Sequence, residues 1–158
     1  MHRRPMIAAA LFAALPLPRH AFAHHGWSSF DQGRPLYLEG RAGKVAWRNP
    51  HVEFDLEVKP GLALPADLAR RAVPPQSAGV DGPGLLARAQ LPTRKDRVWE
   101  IELAPLTRMQ AWQVPQLTSG AEVAVLGFTF DGEKGKPILR AEYLWVGGKA
   151  YGMRSSPA

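Results

Sequence analysis

Three histidines, His24, His25 and His51, are the residues of this sequence best suited to chemistry. Imidazole nitrogen ligates copper, zinc and nickel, and copper heads the divalent affinity order. His24 and His25 are adjacent, and a cut after Ala23 would make them the first two residues of the chain. A free α-amine and ring on His24 then close a chelate, and His25 adds its ring and a deprotonated backbone nitrogen around copper(II). His51 follows Asn49-Pro50 and supplies a third imidazole if the amino-terminal lead folds back on that turn. Copper(II) is therefore the first cofactor to expect, with His24, His25 and His51 as its metal ligands. Trp27, Trp47 and Asn49 flank these histidines and are the side chains expected to line a pocket around them. The four methionines are scattered and two fall before the cut, so nothing suggests a high-capacity metal carrier.

Catalytic patterns are poor by comparison. The sequence holds no cysteine, which removes thiolate nucleophiles, disulfides, Cys-type zinc sites and iron–sulfur clusters together. It has no G-x-S-x-G elbow, no H-E-x-x-H, no P-loop and no dinucleotide-binding glycine pattern. Ser28 and Ser29 neighbour His25 without a buried acid to orient a triad. Glu100 and Glu102 share a strand face and read as a solvated surface rather than a glycosidase pair. No catalytic residue is assigned, and the expected function is binding. The alternative to a metal site is a metal-independent module for a peptide, glycan or partner protein.

The cut itself is legible. Residues 1–23 carry Arg3 and Arg4, an apolar run of 12 residues from Met6 to Leu17, a proline break, and Ala21-Phe22-Ala23. This is the three-part plan of a secretory signal peptide with an A-x-A site. A helix needs about 20 apolar residues to cross a bilayer, so export is expected over anchoring, with no membrane span in the mature chain. A periplasmic or secreted location follows. Removing the signal also alters the electrostatics, because the formal net charge of +6 includes Arg3, Arg4 and Arg19. The mature chain holds 17 basic against 14 acidic residues, a net of +3, and no nucleic-acid partner is expected. A periplasmic protein or a small molecule is the partner class that remains.

The elements that must position these residues are short strands. Residues 24–158 fit one domain. Pro35 to Trp47 alternates around Gly40 and Gly43, as in a bulged strand that bends to serve two sides of a small barrel. Asn49-Pro50 is a turn. His51 to Val58 alternates cleanly, with Val52, Phe54, Leu56 and Val58 on one face and Glu53, Asp55 and Glu57 on the other. Arg97 to Leu103 is a third strand, Pro105 to Trp112 a short helix, Ala121 to Phe130 a fourth strand and Ile138 to Val146 a fifth. Gly147-Gly148 is expected to release the chain into a polar tail. The fold class expected is all-β with one short helix: a five-stranded antiparallel OB-like Greek-key barrel. The stretch at about 60–96 holds six prolines and four glycines, and reads as a mobile insertion.

The run His24-His25-Gly26-Trp27-Ser28-Ser29-Phe30-Asp31, then Leu38-Glu39-Gly40, then Val45-Ala46-Trp47-Arg48-Asn49-Pro50-His51, resembles an uncharacterised family of exported bacterial proteins. It is catalogued as domain of unknown function 6152. Gly120-Ala121-Glu122-Val123 is similar to the family's late strand, and Pro60 to Asp96 stands as an insertion relative to its shorter pattern. The resemblance implies an exported small β-barrel and supplies no activity.

Overall fold

The computed structural model describes residues 26–158. Alternating apolar and polar residues produce six strands: β1 (Leu36–Ala46), β2 (Glu53–Val58), β3 (Val98–Glu102), β4 (Glu122–Phe128), β5 (Ile138–Val146) and β6 (Lys149–Gly152). Two short helices join them, α1 (Gly82–Ala87) and α2 (Leu106–Ala111). The sheet runs β3-β2-β1-β4-β5-β6, and β3 also pairs with β5, so the first five strands close into a barrel. The closing pair is parallel, with Ile101 opposite Leu139, whereas an all-antiparallel barrel was expected. A parallel seam needs a long connection, and α2 with β4 supplies it. Closed order and helix position are those of an OB-type barrel.

β1 does what its glycines require. Its first half pairs with β4, Leu38 opposite Val125, and its second half with β2, with a register break between Ala42 and Val45. At Gly40 the strands approach so closely that a Cβ would overlap the carbonyl oxygen of Glu57. Alternation then sorts the side chains. Leu36, Leu38, Phe54, Leu56, Trp99, Ile101, Val125 and Leu139 fill the barrel interior. Tyr37, Leu126, Phe128, Ile138 and Tyr143 point outward into a second apolar cluster.

The 60–96 segment covers that outer cluster instead of standing free. Leu68, in a 3-10 turn, and Leu85 and Leu86, on α1, are buried against it. Asp81 caps α1 by accepting from the Gly84 N–H at 2.9 Å, and Pro83 sits in the first turn, where its missing N–H costs nothing. The backbone of Gln90 exchanges hydrogen bonds with Pro35 and Tyr37. Proline and glycine content suggested mobility; three leucines and an outward-facing apolar sheet surface decide the matter the other way.

Beyond Gly147-Gly148 the chain turns back as β6 rather than leaving as a polar tail, and Tyr151 and Met153 enter the barrel cluster. The Trp112 indole donates to the carbonyl of Ser155 at 2.7 Å, holding the tail on α2. No helix among the described residues is long and apolar enough to cross a membrane.

Candidate functional site

The W-x-N-P-H turn is fixed from both sides. The Asn49 side-chain oxygen accepts the Leu106 N–H at 3.0 Å, satisfying one of the donors that the start of α2 leaves open. Val52 and Ala104 then begin the β2–β3 ladder through a 3.0 Å backbone bond. His51 lies between these two ties, and its ring meets the guanidinium of Arg140: Nη2 is 3.2 Å from Nε2, and Nη1 is 3.5 Å from Nδ1. Both ring nitrogens are thus within hydrogen-bonding reach of Arg140, with donor and acceptor roles set by the imidazole tautomer.

Arg140 stands on β5 and is almost fully buried, so it requires a countercharge. Glu102 on β3, equally buried, accepts from it at 2.9 Å. The Arg140 guanidinium also lies 5.2 Å from the centre of the Trp27 ring, and Arg154 lies over the same ring at 3.8 Å. Arg154 is held in turn by the buried carboxylate of Glu142 at 2.7 Å, and Glu142 accepts from the Gln76 amide at 2.9 Å. Thus Trp27 from the amino-terminal lead, His51 from the turn, the carboxy-terminal tail and the 60–96 segment meet around two arginines of opposite attachment.

On its other side Glu102 joins Glu53, directly across the ladder, and Glu100; their carboxylates come within 4.8 Å of one another. Glu100 is raised above the ordinary glutamate range by partial burial first, then by the charges of Glu53 and Glu102. The sheet face read as solvated is therefore partly buried at Glu102, and Glu102 is an ion-pair partner rather than a surface acid.

Of the expected site residues, Trp27 and His51 share Arg140 as a neighbour. Trp47 does not join them: it packs on the barrel-interior cluster, whereas Trp27 packs on the outer one, edge-on to Phe128 at 6.3 Å. Asn49 serves α2 rather than a pocket wall. His24 and His25 lie outside the described residues, as does the signal segment. Arg140, Arg154 and Glu142 were missed and Glu102 was read as a solvated acid, although Arg140 and Glu142 stand as two charges inside the apolar run Ile138 to Val146. A buried charge in a strand demands a partner, and that was the available signal.

A separate open groove of about 950 Å³ lies away from this cluster, with Trp145, Val98, Glu39, Lys59, Arg97 and Glu122 among its walls. Its charged rim is balanced, three acids with Glu57 included against Arg41, Lys59 and Arg97.

The residues that carry the HHGW start, β1 and the N-P-H turn are also those that relate the chain to others. Residues 13–63 match the model of DUF6152, a family of unknown function. The DUF6152 match ends just beyond β2, so it takes in Trp27, Asn49 and His51 but stops short of Glu102, Arg140 and Arg154. No curated protein and no solved structure matches the chain.

Proposed function

We propose that this protein is an exported, non-catalytic binding domain that holds copper(II) through the α-amine and ring of His24, the ring of His25 and the ring of His51. One observation carries the reading: Arg140 contacts both the Trp27 ring and the His51 ring, so the lead begins beside the third histidine. His25 precedes Trp27 by two residues and His24 by three, spans of at most about 7 and 11 Å of extended chain. Those lengths keep all three imidazoles within reach of one ion. Glu102 offsets the charge of Arg140 next to the proposed ligand.

Titration of the mature chain beginning at His24 with copper(II), followed by calorimetry, tests this. Tight one-to-one binding is expected, weakened at least tenfold by one extra residue before His24 and by His51→Ala. Unchanged affinity in both proteins would overturn it.

The second reading, a metal-independent module for a peptide, glycan or partner protein, is favoured by the groove beside Trp145. Its rim offers both charges and its wall an indole for stacking. A ligand of this kind binds in the presence of chelator, and Trp145→Ala rather than His51→Ala removes it.

A further inference from the structure

The groove beside Trp145 lies at the far end of β2 from the histidine turn. His51 precedes that strand and Val58, a groove residue, ends it, about 17 Å of strand beyond Glu53. The groove runs over the outer face of the barrel wall, where pairing sets the side chains in rows. In one row Trp145 stands opposite Ala124, and Ala124 opposite Glu39. The methyl of Ala124, between an indole and a carboxylate, leaves a step beside the half-buried Trp145 ring. In the next row Glu122 stands opposite Arg41, and Arg41 opposite Glu57. Opposite charges facing each other across strands ordinarily engage. Here Glu39 pairs with Lys59 at 3.0 Å, but among the described residues the exposed Arg41, Glu57 and Glu122 form no ion pair, and neither does Arg97.

Unpaired guanidinium and carboxylate groups in one groove suit a ligand that accepts from the first and donates to the second. A hydroxyl does both. Three acids against three bases leave no net field to draw an ion of either sign. An extended peptide recognised by strand addition needs a free strand edge, and β1, β2 and β4 are each hydrogen-bonded on both sides. The volume of about 950 Å³ is at the upper end of small-ligand sites, which span about 300–1,000 Å³. We propose, resting on the metal-independent reading above, that this groove binds an uncharged oligosaccharide. One sugar ring lies with its apolar face on Trp145, and hydroxyls engage Arg41, Glu57 and Glu122.

The test applies the mature chain, in the presence of chelator, to an array of uncharged, acidic and basic oligosaccharides, and to a displayed library of random dodecapeptides. Array ligands are then titrated by tryptophan fluorescence. Saturable binding of uncharged oligosaccharides is expected, weakened at least tenfold by Trp145→Ala and by Arg41→Gln. Arg88→Gln, an exposed arginine just beyond α1, and His51→Ala leave it unchanged. Arg41 is exposed, so its variant decides the matter even if thermal melting shows Trp145→Ala to be unfolded. Preference for charged oligosaccharides, or full affinity in Arg41→Gln, overturns the proposal. Peptides selected in a Trp145-dependent manner, with no oligosaccharide bound, overturn it while the groove remains a binding site. Binding of neither class removes the metal-independent reading as well.

Discussion

Glu133 shows what a single buried carboxylate does in this molecule. Its side chain accepts the backbone N–H groups of Thr93 and Arg94 and the guanidinium of Arg34, so it ties the end of the 60–96 segment to the β4–β5 loop. Burial opposes its charge, yet those donors outweigh it and hold the carboxyl down at about 2 from an ordinary 4.5. A depressed acid contributes stability above its unfolded value and loses it as pH falls through the folded one. The contribution is about 3 kcal/mol at neutral pH. It fades between 4.5 and about 2. Urea unfolding of the wild type and Glu133→Gln is expected to show a gap that is full at pH 7 and mostly closed at pH 2. A constant gap would assign Glu133 a purely steric role. Histidines could be picked from the sequence because their chemistry is rare there. Glu133 could not be distinguished from the other acids, since its burial and partners come from distant parts of the chain, whereas Arg140 was marked only by its place inside an apolar run.

β1 carries the most demanding local geometry. Strand pairing on both edges is legible in its alternation, and its bend in its glycines, but the two glycines are not equivalent. A Cβ at Gly40 overlaps the Glu57 carbonyl, whereas at Gly43 it would meet the Asp55 carbonyl oxygen at 3.3 Å, which a small shift relieves. Gly40→Ala is expected to cost about 1–3 kcal/mol as overpacking costs do, and Gly43→Ala well under that. Thermal melting of the two variants checks the order; equal melting temperatures would show that β1 and β2 can part freely at Gly40. β6 escaped the sequence because Gly147-Gly148 reads equally as a chain end and as a hairpin turn, and four residues give too short an alternation to decide.

The molecule as a whole is a barrel with a second core outside it. The barrel was legible because period-two alternation reports a sheet with one face buried. The outer cluster was not, because Tyr37, Leu126 and Phe128 look like ordinary apolar intrusions until the 60–96 segment covers them. Gln76 is the tie between that segment and the tail: its amide donates to Glu142 while its oxygen accepts the N–H groups of Arg154 and Ser155 at 2.9 and 3.0 Å. Gln76→Ala removes one donor from the buried Glu142 carboxylate and the acceptor of the Arg154 and Ser155 N–H groups. Limited proteolysis is expected to cut the variant within 60–96 at least several-fold faster than the wild type, and equal rates would mean that the leucines alone hold the segment. The barrel's closure has a further consequence in time. β1 has one partner, β2, close behind it in the chain, but its other, β4, begins only at Glu122. A chain delivered amino terminus first holds an apolar strand with one edge open until most of its length has arrived. Such an edge invites pairing with other chains while it waits, which makes folding of this protein dependent on keeping nascent copies apart.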